Sequence, residues 1–503
     1  MRKLIAILLG AVMMLSMAVV GVSAADPEVI TTAEQFAAMA ADGNYKLGAS
    51  IAVAARYNGT FKGTFDGAGF TITLSGDPAF KTLDGATVSN LTLEGSVSIS
   101  DNAGALCVNA YGVTITKVTN KASVETTKSG GYAGGLIGQM STASSSSADN
   151  KLVSRFTDCV NEGAISGAAG TVRIAGFVGN AAKHNNCIYT RCINKGDISA
   201  KEGISGSPYV AGIAGSAFGG EFYDCENYGK LYSAAGCHMG GILGRMSPSA
   251  QGGSQDVIIT GCKNYGELVA TSGVAGGIVG YAGNPAGDGG NVKQVLTVKN
   301  CENSGKITAG GGQAGGIVGY LYGVTIQDSA GADRGYWSYA DIQNCVNKGD
   351  ITGTGDTTFV SQIMAYANVR DNIIKNNYGL GTVAAKDDMH AVFIGLSGDD
   401  VTLYNIEGNY VTDSTKYYAY AADEANARNR IEMSADLADK VRIATVAEIE
   451  AAMTPPTQQG GDTPTVVTGD TAVIVMIVCL VSLLGMGIAL KARRACATLC
   501  FDR

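Results

Sequence analysis

Two short motifs recur together six times along this chain, and that recurrence constrains its fold more than any other feature. The first reads Cys-x-Asn-x-Gly-x-[Ile/Leu]. Its residues are Cys159, Asn161 and Gly163, then Cys192, Asn194 and Gly196, then Cys225, Asn227 and Gly229. The later copies carry Cys262, Asn264 and Gly266, then Cys301, Asn303 and Gly305, then Cys345, Asn347 and Gly349. The second motif is a glycine-flanked aliphatic pair that closes at Gly138, Gly179, Gly215, Gly244, Gly280 and Gly319. Successive copies of the first motif stand 33–44 residues apart. A repeat of this length is one supersecondary unit that buries its apolar face only by stacking on its neighbours.

Alternation along a strand places Cys, Asn, Gly and Ile of the first motif on one side and the charged or variable residues on the other. If each copy is one coil, equivalent residues of successive coils lie about 4.8 Å apart. Asparagines then form a column that passes amide hydrogen bonds from coil to coil. Asn also tolerates the left-handed backbone of a tight corner, and the Gly two residues later is expected to supply a bend. Cys fills a narrow inward slot as a small apolar residue. The repeats are glycine-rich and β-branched and lack a 3.6-residue period. Helical repeats of similar length are thereby excluded, and a propeller would need four strands per copy. The expected fold is all-β: a right-handed parallel β-helix (solenoid).

Short helical caps are expected at both ends. Thr31 with Glu34, or Thr32 with Gln35, offers a capping box, and Asp42-Gly43 is expected to end that helix. Thr445 with Glu448 repeats the signature near the other end, and Ser434–Lys440 also reads as a short helix. The expected organisation is a signal peptide over 1–24, an N-terminal cap over 25–55, the β-helix over 56–412 and a second cap over 413–453. A Pro/Gly/Thr linker over 454–471, a transmembrane helix over 472–490 and a basic cytoplasmic tail over 491–503 follow. Arg2 and Lys3 before an apolar run and Val22-Ser23-Ala24 carry the signal reading. Ala472–Leu490 is uncharged and long enough to span a bilayer, and Lys491, Arg493 and Arg494 orient its end to the cytoplasm.

Composition narrows the function classes. The net charge is −8; without the leader and the tail about 30 basic residues face 43 acidic ones. A nucleic-acid partner needs a basic footprint, so none is expected. No Cys-x-x-Cys pair, P-loop or His-Glu-x-x-His occurs, and no catalytic, cofactor-binding or metal residue is assigned. The repeat cysteines read as free, buried packing residues. Asp66, Asp158, Asp224 and Asp341 are the acids nearest repeat positions, and solvated surface charge is their plain reading. Tyr228, Tyr265 and Tyr378 each stand at the x of Asn-x-Gly. They are expected to line one ridge, either stacking on sugar rings or packing on their cross-strand neighbours.

Gly135-Leu136-Ile137-Gly138 and its equivalents, such as Gly277-Ile278-Val279-Gly280, resemble the GLUG motif. That family occurs in bacterial surface β-helix proteins and in the non-catalytic part of some immunoglobulin A proteases. Phe61–Thr73 resembles a coil common near the start of such proteins. The resemblance implies a scaffold rather than an activity. Val467-Thr468-Gly469-Asp470 with the apolar run and basic tail resembles a degenerate sortase sorting signal of Gram-positive bacteria. Cleavage after Thr468, before Gly469, would link the chain to the cell wall; plain membrane retention is the alternative. The expectation is a surface-anchored adhesin or binding stalk, with host or environmental glycans or surface proteins as partners. A polysaccharide-active β-helix enzyme and a purely structural spacer are the competing classes.

Overall fold

The computed structural model describes residues 26–454 apart from 142–151, 169, 171, 183–184, 203–206, 248–255, 284–291, 323, 328–332, 356–358, 368–371, 386–390, 398–404, 413, 416, 423–428 and 433–437. The signal segment, the linker with Thr468 and Gly469, and the apolar run 472–490 lie outside the described residues. Among the described residues no helix is long and apolar enough to cross a membrane. The chain divides into two units, 1–450 and 451–503. Of the second, only 451–454 are described.

The first unit is a stack of parallel coils. One coil contains the strands Val160–Asn161, Ile165–Gly167, Arg173–Ala175, Val178–Ala181 and Asn185–Thr190. Each strand pairs in parallel with the equivalent strand of the next coil: Val160 with Ile193, Ile165 with Ile198, Arg173 with Tyr209, Val178 with Ala214 and Cys187 with Gly220. Antiparallel pairing occurs, among the described residues, only between Val324–Gln327 and Asp333–Gln343 and between Tyr417–Ala422 and Asn429–Glu432. The all-β expectation holds, and the parallel ladders are those of a β-solenoid.

Buried asparagines tie the coils together. Asn120 Nδ2 donates to Asn161 Oδ1 at 2.8 Å, and the same bond runs from Asn161 to Asn194 and from Asn194 to Asn227. It continues from Asn227 to Asn264, Asn264 to Asn303 and Asn303 to Asn347 at 2.8 Å. The second proton of each amide goes to the carbonyl two residues on, as from Asn264 to Gly266 at 3.0 Å. Asn347 ends the run by donating to Gln362 Oε1, and Gln362 donates to the Gly381 carbonyl. All these side chains are buried. Each bond contributes about 0.5–1.5 kcal/mol net, and leaving one unmade costs about 1–3 kcal/mol.

The glycines of both motifs exist because of this column. A Cβ on Gly266 would collide with the Gly229 carbonyl oxygen and the Asn227 amide, and each repeat glycine meets its predecessor in the same way. A Cβ on Gly277 would strike the Gly316 carbonyl oxygen and lie 2.5 Å from Asn303 Cγ. The second motif therefore backs the asparagine of the next coil, and the two halves recur together because they touch. Neither set of repeat glycines has a left-handed backbone. Close approach, rather than the expected bend, is what requires glycine here.

The left-handed corner lies elsewhere. It falls on the residue just before the Cys: Asp158, Arg191, Asp224, Gly261, Asn300 and Asn344 all have φ between 51° and 69°. Asn90 and Lys117 hold the same place in earlier coils, and Asn376 and Gly408 in later ones. Asn, Asp and Gly accept that conformation readily, whereas Arg191 and Lys117 adopt it at a cost of about 1–2 kcal/mol.

The ends differ from the middle. Helix α1 (Ala33–Ala37) is a single turn capped by Thr32, whose side chain accepts from the Gln35 N–H. It ends at Ala38, before Asp42-Gly43, and Gly43 is not left-handed. Its one buried residue, Phe36, sits edge-on to Phe65 and Phe80 at 5.7 and 5.2 Å and plugs the first coils. The ladder already starts at Glu28–Ile30, which pairs with Asn44–Leu47. Helix α2 (Val446–Met453) has the expected Thr445–Glu448 box, with Glu448 N–H donating to Thr445 Oγ1 at 3.3 Å. Residues 438–440 form a turn rather than the expected helix.

Replacing Asn264 with Ala should cost about 1–3 kcal/mol, because Asn227 and Asn303 both lose a buried partner. Asn58→Ala, on an exposed strand position, should change stability little. Denaturant unfolding followed by amide hydrogen exchange checks both, and the loss of protection should centre on the coils beside residue 264.

Candidate functional site

The second motif is a sharp corner, and side chains on its two flanks face each other. Reading outward from the glycines, one flank carries Tyr132, Arg173, Tyr209, His238, Val274, Gln313 and Phe359 in successive coils. The other carries Asn109, Gln139, Asn180, Ser216, Arg245, Tyr281 and Tyr320. Outward side chains from either side of a corner meet only if the corner is a notch in the outer surface. They do meet: Asn102 Nδ2 donates to Gln139 Oε1 at 2.8 Å, and His238 stacks on Tyr281 at 4.3 Å. The corner is built from small residues: a Cβ on Gly240 would run into the Leu243 carbonyl oxygen, and Ala175 and Ala211 hold the same place in the Arg173 and Tyr209 coils.

The strip is an almost continuous stack of planar groups. The Arg173 guanidinium lies 4.8 Å from the Tyr132 ring and 5.2 Å from the Tyr209 ring. Tyr209 and His238 are 5.2 Å apart and nearly parallel. At His238 the stack crosses the notch to Tyr281, then continues through Tyr320 at 5.1 Å to Tyr366 at 4.6 Å. Arg245 sits 5.0 Å from both Tyr209 and Tyr281, and its Nη1 donates to the Tyr209 hydroxyl. Val274 and Gln313 lie level with Tyr281 and Tyr320, whereas His238 is level with Arg245 and Phe359 with Tyr366.

Electrostatically the strip is cationic on an acidic body. Among the described residues, neither Arg173 nor Arg245 has a carboxylate partner, unlike Arg191, which pairs with Asp158 at 2.7 Å. Three covered nitrogens here have no hydrogen-bond partner: Arg173 Nε, Arg245 Nε and His238 Nδ1. Burial, and then the Arg245 charge, push His238 down to about 3. The ring is therefore neutral at physiological pH.

The residues singled out from the sequence fall elsewhere. Tyr228 and Tyr265 do share a column, stacked at 4.7 Å and both exposed. The Glu226 carboxylate accepts the Tyr228 hydroxyl at 2.8 Å and pushes that phenol up to about 12. Tyr378 does not join them. Val346 pairs with Tyr378 and Asn347 with Gly379, so Asn377 stands in the Cys column and the sequence Asn-Tyr-Gly is shifted by two residues. Gln362 occupies the place an asparagine would have filled above Gly379. The acids are engaged in the scaffold. Asp158 and Asp224 flank Arg191 in one column, Asp341 pairs with Lys299 at 2.8 Å, and Asp66 accepts from Asn90 and from the Ala68 N–H.

The repeat cysteines are free and buried. Their thiols donate to carbonyls, as from Cys192 to Phe156 and from Cys345 to Val298. Burial pushes the off-register Cys187 and Cys237 up to about 12 and holds Cys192, Cys262 and Cys345 well above the ordinary thiol range. Desolvation is the largest single influence on Cys225 and Cys301 as well, but hydrogen bonds from the neighbouring thiols and backbone oppose it and pull both below the ordinary thiol range. The notch itself was missed in the sequence. Its signal was an aromatic residue or Arg just outside a glycine-rich motif, at Tyr132, Arg173, Tyr209, Arg245, Tyr281 and Tyr320.

No protein-family model matches this chain, and no curated protein matches it in sequence. Among solved structures it is similar to a chain provisionally described as an immunoglobulin A1 protease from Bacteroides ovatus. The identity is 15%, the match covers 85% of this chain and 86% of that one, and the TM-score is 0.30. A likeness at that level carries no argument about fold or activity.

Two outcomes follow for this region. The folded state holds His238 below its ordinary value, so it binds fewer protons than the unfolded chain, and stability should fall as pH drops from about 6.5 toward 3. His238→Gln should flatten that part of a stability-against-pH curve measured by thermal melting. The nine described cysteines should resist a thiol reagent in the native protein and react together on unfolding.

Proposed function

We propose that this chain is a surface-displayed, non-catalytic binding protein: a GLUG-type right-handed β-helix stalk held in a bacterial envelope by its C-terminal segment. Its partners are glycans or surface proteins of a host or of other cells, and it meets them along the glycine notch. The observation that carries the reading is the strip itself. A solenoid needs its inward columns for stability, but nothing in the core calls for arginines without carboxylates beside a line of tyrosines on the outside. Arg and Tyr in fixed, desolvated positions are the side chains that dominate recognition surfaces. The non-catalytic part of the reading draws support from the acids, since Asp66, Asp158 and Asp341 are each engaged by a neighbouring donor or cation.

Export through the leader, a membrane span at 472–490 and cleavage between Thr468 and Gly469 by sortase complete the proposal. The second reading of the anchor is plain membrane retention.

A glycan array probed with the full-length chain should give specific signals, and the double substitution Tyr281→Ala, Tyr320→Ala should abolish or weaken them more than about ten-fold. Blank arrays together with blank mucin and cell-binding assays would sink the adhesin. For the anchor, deletion of sortase should release the protein to detergent extraction; unchanged extraction means retention by the membrane span alone.

A further inference from the structure

The two halves of the notch differ. From Arg245 onward it is filled by rings, whereas between Tyr132 and Ser216 the second flank carries only Gln139, Asn180 and Ser216 opposite Arg173. The hydrogen bonding of this half has a direction. The Tyr132 backbone N–H donates to Asn102 Oδ1 at 3.1 Å, which fixes that amide with its nitrogen toward Gln139. Asn102 Nδ2 then donates to Gln139 Oε1, so Gln139 keeps only its Nε2 protons to offer. One coil on, the buried Ser216 hydroxyl donates to Asn180 Oδ1 at 2.7 Å and leaves Asn180 with only Nδ2. Acceptors are consumed inside the strip and donors are left over.

Arg173 lies in the same coil as Asn180, on the opposite flank, and one coil from Gln139. Two ring faces clamp its guanidinium, and it makes no hydrogen bond or ion pair to any described residue. Its Nε is covered, and the residue as a whole is half-buried. A guanidinium held flat between rings has already lost most of its side-chain freedom, so little is lost on capturing a planar, two-oxygen anion. Donor groups without an acceptor, on side chains of two adjacent coils, suit a negatively charged oxygen group.

We propose that Arg173, Asn180 and Gln139 form a carboxylate-binding subsite for an acidic glycan, a chain bearing uronate or sialate groups. This rests on the binding function proposed above and names its ligand class. A polyanion such as nucleic acid is disfavoured by the chain's net charge of −8, which repels dense negative charge beyond a single cationic contact. Among the described residues the subsite is lined by amides and aromatic rings rather than by aliphatic side chains. Its neighbours are the rings and hydroxyls of Tyr132 and Tyr209, which suit a hydroxyl-rich chain.

The test uses the full-length protein in detergent with hyaluronate oligosaccharides and sialyllactose as acidic probes. Lactose and chitotetraose serve as neutral probes, and an acidic peptide and a sulfated glycan as competitors. The expected result is salt-sensitive binding of an acidic probe that Arg173→Gln weakens about ten- to a hundred-fold. Arg173→Lys should recover only part of it, and Arg191→Gln, on another face, should leave it unchanged. Asn180→Ala should weaken it with Arg173 intact, which keeps the test valid if one variant folds poorly; thermal melting reports that directly. Equal affinity of wild type and Arg173→Gln for the acidic probes overturns the subsite. So does binding of neutral glycans alone, which would leave the binding function standing. Preference for the acidic peptide or the sulfated glycan overturns the ligand class, and no binding to any probe overturns the subsite, with the binding function then decided by the mucin and cell-binding assays above.

Discussion

One buried amide per coil holds this molecule in register. Each repeat asparagine donates to the next asparagine and to its own coil, so its polar atoms are satisfied inside a core that excludes water. The column leaves no slack on either side. Gly266 must lack a side chain because the preceding coil passes where a Cβ would be, and Gly277 because the next asparagine fills that space. Apolar columns such as Ile165, Ile198, Leu231 and Leu268 supply the bulk of the burial but would tolerate sliding among similar residues. The amide ladder does not, because a slip of one residue would bury unpaired donors.

That same requirement shapes the outer surface. Beside the glycine that the asparagine ladder demands stands a second small residue, Gly or Ala, and the chain folds inward there and opens a notch on the outside. The notch gathers two outward columns that a flat sheet would keep apart. Arg173, Tyr209, His238, Arg245 and Tyr281 are brought together by it, although 108 residues separate the first from the last in sequence.

Much of the architecture was legible because the side-chain period of a strand is strict. The buried Asn and Cys columns, the polar variable positions and both capping boxes followed from spacing and residue type. Reading failed where the answer depended on which atoms lie in the neighbouring coil. Glycine at Gly163 and its equivalents was assigned to a bend, yet its reason is a carbonyl one coil away. The left-handed corner was placed on Asn and lies on the residue before Cys, where side chains as different as Arg191 and Asp224 share it. Tyr378 was aligned with Tyr265 by the letters Asn-Tyr-Gly, and pairing with Val346 puts it two places away.

The sequence by itself determined the parallel coil, the interior columns and the outward side of each strand, since period-two alternation and a repeat of constant core length allow no other arrangement. Only the tertiary structure decided which outward residues meet. Contacts across the glycine notch join side chains one coil apart and on opposite flanks, and that offset is set by the stacking of whole coils, which no local spacing encodes.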